Sequence, residues 1–160
     1  MVDGVDEVNY WRAFWEGHDG TRRDVQDDAI LDALKPIWAE LQSKRPRVLD
    51  LGCGDGTRTA LVAAKLPKTS TMIGVDVYLD TLLAAEERVK ATGRKFVPSL
   101  AEDGRSPEGV KKASLHAAFS VGLCQHVRPD GWRSYIEWVA SRLRPGGRFR
   151  FQFSDLDTRS

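Results

Sequence analysis

The sequence predicts an α/β fold, a doubly wound, mostly parallel sheet with helices on both faces, and three observations carry that expectation. Apolar strand-like segments alternate with amphipathic helix-like ones along the chain, and the short connections imply right-handed crossovers between parallel strands. The stretch Arg47-Val48-Leu49-Asp50-Leu51-Gly52-Cys53-Gly54-Asp55-Gly56-Thr57 reads as strand, glycine loop and helix start. The last apolar segment, residues 148–153, alternates Arg or Gln with Phe and so has a wet face. Inner parallel strands covered on both faces read as nearly continuous apolar runs, so this one belongs at or near a sheet edge.

Taken in order, residues 7–17 carry Tyr10, Trp11, Phe14 and Trp15, an aromatic stripe on a short amphipathic helix ended by Gly17. Residues 1–23 therefore form an N-terminal element that packs on the domain or lies over a ligand as a lid. Asp24 caps a second helix expected to run to about Gln42, with Asp27 and Asp28 at its positive end. Its stripe is Ile30, Leu34, Ile37 or Trp38, and Leu41, and Pro36 should kink it. After the organising strand come a helix over 57–65, a strand over 71–77, and a helix over 80–92 with the stripe Leu82, Leu83 and Val89 ended by Gly93. A third strand is expected over 95–98, then a polar stretch 104–113 in which Pro107 opens a helical turn. Residues 115–121 read as the fourth strand. Pro129 and Asp130 start a helix burying Trp132, Tyr135 or Ile136, Val139 and Leu143, which Pro145-Gly146-Gly147 stops. The final strand should bury Phe149, Phe151 and Phe153, leaving 154–160 as a tail behind a core of 24–153.

A chain of 160 residues makes a single domain. Its 24 Lys and Arg are balanced by 23 Asp and Glu, interspersed, so neither nucleic acid nor an anionic membrane is an expected partner. Small or neutral partners are favoured. No run approaches the roughly 18 apolar residues of a membrane span. Cys53 and Cys124 form no C-x-x-C pair, so no metal site is expected, and both read as reduced thiols of a cytoplasmic protein.

Glycine at 52, 54 and 56 lets the backbone turn tightly into a helix N-terminus and lets a nucleotide-like ligand approach it. The dinucleotide fingerprint G-x-G-x-x-G would need its third glycine where the chain has Thr57. Asp50, two residues before the loop, would repel a diphosphate but tolerate a ligand carrying an ammonium. Asp76 closes the second strand, where a carboxylate can take both ribose hydroxyls in either kind of nucleoside site.

Val48 through Gly56, then Gly74-Val75-Asp76, then Leu143-Arg144-Pro145-Gly146-Gly147 before the last strand together resemble the class I (Rossmann-like) S-adenosylmethionine-dependent methyltransferases, from about Tyr10 to Phe153. The resemblance implies sheet order 3-2-1-4-5, without the antiparallel C-terminal strand pair the family usually adds. It implies S-adenosyl-L-methionine as cofactor and S-adenosyl-L-homocysteine as product. The binding residues it implies are Asp50, Gly52, Cys53, Gly54, Asp76, Val77, Asp103 and Leu123. Where the family has an acid after the third strand, Ser99 stands nearest, with Glu102 and Asp103 just beyond; where it often has Asp in the fourth strand, this chain has His116.

The reaction implied is in-line displacement of a methyl group toward a small-molecule acceptor, which calls chiefly for positioning. His126, after the fourth strand, is the candidate catalytic base, because that end of the sheet faces the cofactor. Cys124 reads as a small packed residue. The alternative is a catalytically silent cofactor-binding or accessory subunit; a nicotinamide oxidoreductase is disfavoured by Thr57. The single edge strand points to a homodimer through another surface, or to a heteromeric partner.

Overall fold

The computed structural model describes residues 27–42, 45–102 and 106–153. The aromatic helix expected over 7–17, Asp103 and the tail 154–160 lie outside them. The described elements are α1 (Asp27–Ala39), β1 (Arg47–Leu51), α2 (Thr57–Lys65), β2 (Thr71–Asp76), α3 (Leu79–Lys90), β3 (Lys95–Leu100), β4 (Leu115–Ser120), α4 (Pro129–Arg142) and β5 (Leu143–Phe151). The sheet order is β3-β2-β1-β4-β5 and every pairing is parallel, as the sequence led us to expect. Strand order reverses at β1, so the connections leaving β1 and β4 part there and open a crevice at their carboxyl ends.

Residue alternation divides the core into two layers. Val48, Met72, Phe96, Ala117 and Phe119 face Leu34 and Ile37 of α1, Val62 and Ala63 of α2, and Leu82, Ala85 and Val89 of α3. Leu49, Leu51, Ile73, Val75, Leu115 and Ala118 face Trp132, Tyr135 and Val139 of α4. Asp50 shares the parity of Val48 and so points into the layer that holds α2.

Several local expectations are corrected. Helix α1 ends at Ala39, short of Gln42, though Leu41 still packs into the core through a turn in which its N–H donates to the Trp38 carbonyl at 3.1 Å. In α3 the buried stripe is Thr81, Leu82, Ala85 and Val89; Leu83, one residue around the helix from Leu82, is 49% exposed. No helical turn forms at Pro107, whose ring is buried while 108–109 make a simple turn. Pro145-Gly146-Gly147 does not separate helix from strand. Leu143 already pairs with Leu115 and Arg148 with Ala117, so residues 144–147 bulge out of the β5 ladder.

Strand β5 is an edge strand, but its aromatic face is less covered than its alternation suggests. Phe149 packs against the α4 layer, whereas Phe151 and Phe153 are 38% and 68% exposed. Trp132 meets Phe151 edge-on at 5.2 Å, and Phe153 lies beyond the end of the ladder. The wet face is tied down: Arg148 pairs with Glu40 at 3.0 Å and Arg150 donates to the Ala33 carbonyl at 2.9 Å.

Candidate functional site

The glycine loop spends its amides on its own fold. Gly52 and Cys53 N–H both donate to the Val75 carbonyl, at 2.8 and 3.0 Å, stitching the end of β1 to β2. Gly54 N–H donates to Asp76 Oδ2 at 2.8 Å, Gly56 N–H to the Cys53 carbonyl at 3.0 Å, and Thr57 N–H to Asp55 Oδ1 at 3.1 Å. A phosphate-cradling loop needs such groups directed at its ligand. The three glycine amides of this loop are not directed at a phosphate, which agrees with the failed dinucleotide fingerprint at Thr57. Gly56 has φ +78°, and a Cβ there would stand 2.5 Å from Ala85 Cα, so the start of α2 rests directly on α3. Asp55 reinforces that contact, taking the Thr57 hydroxyl at 2.8 Å and Arg88 of α3 at 3.2 Å.

Two carboxyls flank the loop. Asp50 is 3% exposed, and its Oδ2 accepts the Thr59 hydroxyl of α2 at 2.6 Å. Burial pushes this carboxyl up to about 7; the Thr59 hydrogen bond opposes the shift, the nearby Asp76 adds to it and Arg58 opposes it. Asp76 Oδ1 accepts the N–H of Val77 at 2.8 Å and of Tyr78 at 3.3 Å. Burial raises its carboxyl as well, while its backbone donors pull the other way. Among the described residues neither Asp50 nor Asp76 forms an ion pair. Cys53 offers the loop its backbone: its thiol is buried, 3.6 Å from the Gly54 carbonyl, and burial holds it protonated.

The far wall comes from the turn after β4. Leu123 side-chain atoms lie 3.1 Å from where a Cβ on Gly52 would be, so the leucine packs directly over the loop. A short 3-10 turn follows at Cys124–His126, with the His126 N–H donating to the Leu123 carbonyl at 2.9 Å. The His126 ring is exposed, with Nε2 3.0 Å from Gln125 Nε2. Partial burial lowers its pKa, which favours the neutral, proton-accepting imidazole. The Cys124 thiol is pushed up by burial and so stays protonated.

Asp50, Gly52, Cys53, Gly54, Asp76, Val77, Leu123 and His126 thus all lie at the carboxyl ends of β1, β2 and β4. Glu102 is exposed just beyond β3. His116 lies at the other end of the sheet, its ring nitrogens 3.2 Å from the Arg47 N–H and 2.9 Å from Arg144 Nη1. It lines a cleft of about 170 Å³ with Glu40, Arg144 and Gly147, remote from the loop. Sequence reasoning missed Thr59 and Arg88. Thr59 carried a signal, a hydroxyl on the buried stripe of α2 beside Val62 and Ala63; Arg88 carried none. Among the described residues no His, Cys, Asp and Glu cluster could hold a metal ion, and no helix is long and apolar enough to cross a membrane.

Comparison with known proteins agrees with this geometry. The methyltransferase-domain family profile matches residues 48–147. A trans-aconitate 2-methyltransferase of Rhodopseudomonas palustris is 29% identical over 124 residues, covering 78% of this chain and 43% of that protein. A 2-ketoarginine methyltransferase of Streptomyces arginensis is 36% identical over 125 residues, covering 72% of this chain and 34% of that protein. The chain therefore spans less than half the length of these two relatives. The solved structure of geranyl diphosphate C-methyltransferase from Streptomyces coelicolor, in complex with S-adenosyl-L-homocysteine, superposes with a TM-score of 0.66 at 13% identity. That overlap covers 93% of this chain and 63% of the other, a likeness of fold. With the motif, the strand order and the family match in agreement, the chain belongs to the class I S-adenosylmethionine-dependent methyltransferases.

Proposed function

We propose that the chain binds S-adenosyl-L-methionine at the glycine loop and transfers its methyl group to a small-molecule acceptor. One observation carries the reading: Asp50, buried, and Asp76, half-buried, neither in an ion pair among the described residues, flank a loop whose amides at 52, 53, 54, 56 and 57 are already used. That combination suits a nucleoside ligand that is cationic and lacks phosphate. Asp76 takes the ribose on Oδ2, which accepts the Gly54 N–H, while Oδ1 holds the N–H groups of Val77 and Tyr78 and the Thr81 hydroxyl lies beside the carboxyl. Gly52, Val77 and Leu123, at the carboxyl ends of β1, β2 and β4, contact the cofactor, and Asp50 supplies negative charge for the ammonium. The adenine falls to Asp103 or Glu102, the acids that follow β3 in sequence. When bound, the cofactor supplies an activated methyl group on a sulfonium. His126 then accepts the acceptor's proton, a role that its lowered pKa favours. The small acceptors in the names of the two curated relatives support a small substrate here.

The exposed Phe151 and Phe153 favour a second reading, a cofactor-binding subunit that works with a partner seated on β5. Incubation with S-adenosylmethionine labelled in its methyl group, against a panel of small carboxylic acids, amines and phenols and against RNA, separates the two. Label in a small acceptor is expected. Cofactor binding without transfer to any of them would support the subunit reading instead.

A further inference from the structure

We propose that Thr59 is a positioning residue for the cofactor, holding Asp50 so that arrival of the ligand's ammonium expels one proton from the Asp50 carboxyl to solvent. The proposal rests on the cofactor reading above. Thr59 is fully buried on α2, and its Oγ1 lies 2.6 Å from Asp50 Oδ2. The rest of that helix stripe is apolar, and valine would fill the same space without a donor. The hydroxyl is therefore chemically particular, since it donates to the charged form of the acid and eases its ionisation in a dry layer.

The surroundings leave Asp50 short of positive charge. From β2 it faces Asp76, and from the loop the Cys53 thiol, beyond which Asp55 is paired with Arg88. From α2 it faces Arg58, which is engaged with Asp27 of α1 at 3.1 Å. Its partner in β4 is Phe119, flanked by Ala118 and Ser120, none of them titratable. With the carboxyl near 7, the free protein holds a proton on Asp50 at mildly acid pH. A cation entering the crevice favours the carboxylate, and Oδ2 is already held for it by Thr59.

S-adenosyl-L-homocysteine, which carries the ammonium, and 5′-methylthioadenosine, which does not, are the probes. Calorimetric titrations of the wild-type chain run from about pH 5.5 to 8, in two buffers of different ionisation enthalpy. The expected result is that homocysteine-probe affinity rises up to tenfold per pH unit below Asp50's titration and levels above it, with close to one proton released at pH 6. The thioadenosine probe should show neither effect. Thr59→Val should move the inflection to higher pH, weakening the first probe several-fold near pH 6.5 with the gap closing by pH 8, and Thr59→Ser should restore the wild-type profile. A pH dependence shared by both probes overturns the proposal, as does a Thr59→Val loss that is the same at every pH. Absence of binding by either probe at any pH would instead remove the cofactor reading, and this inference with it.

Discussion

The Asp76 carboxylate accepts the Gly54 N–H at 2.8 Å, joining the end of β2 to the glycine loop that follows β1. On the proposed function the same side chain that fixes the loop takes the ribose, which would couple loop shape to nucleoside binding. Asp76→Ala should weaken S-adenosyl-L-homocysteine binding by about 1 to 3 kcal/mol, the cost of leaving charge-assisted hydrogen bonds unmade. Calorimetry reads this directly, and unchanged affinity would place the ribose elsewhere.

Asp50 should burden the free protein as pH rises. Its carboxyl sits near 7 in the fold against 3.8 when unperturbed, so between those values the native state holds a proton that the unfolded chain has lost. The stability this group contributes is complete below 3.8 and is lost as pH rises through about 7, at about 1.4 kcal/mol per pH unit. Asp50→Asn removes the titration. Urea unfolding should find the variant gaining on wild type across that window and holding a constant lead above it; parallel curves would contradict the assignment.

Gly74 is where β2 makes room for its neighbours. A Cβ there would lie 2.4 Å from Phe96 Cζ and 2.9 Å from Cys53 Sγ. Gly74→Ala should destabilise the fold by about 1 to 3 kcal/mol through overpacking, and Phe96→Leu in the same chain should recover part of the loss. Denaturant midpoints of the single and double variants test this, and additive losses would show that the ring is not the obstacle.

His126→Ala should lower turnover by about 10² to 10⁴ while leaving cofactor affinity nearly intact, the range for a lost general base. In the wild type, the acid limb of the rate should lie below pH 6.5, because burial lowers the imidazole pKa. Equal pH profiles in the two proteins between about pH 5 and 8 would reduce the residue to positioning.

Much of the frame was legible because it is written in local patterns. The bounds of β1 and α2 follow from Pro46, the glycines and the run Val48 to Leu51, and the reversal of strand order follows from the family motif. The misreadings arose where a tertiary neighbour decides. Leu83 looks like part of a stripe until Ala85 takes the inward position against Gly56. Pro145-Gly146-Gly147 looks like a helix stop, yet Leu143 pairs with Leu115 before it and the three residues become a bulge. Phe151 and Phe153 have strand alternation, but Phe151 meets α4 edge-on at Trp132 and Phe153 lies past the end of the ladder. At the site, Asp50, Asp76 and the glycines were named from spacing; Thr59 showed only as a hydroxyl on an apolar stripe, and the Arg88 contact joins segments whose approach no local pattern encodes.

The most direct test of the central claim is equilibrium titration of the purified chain with S-adenosyl-L-homocysteine and, separately, with the nicotinamide dinucleotide NADH. The account expects saturable binding of the first at one site per chain, weakened by Asp76→Ala, and no binding of the second, whose diphosphate would meet two acids and a loop whose glycine amides are already used. Saturable NADH binding that Asp76→Ala abolishes, with no uptake of the homocysteine ligand, would contradict it.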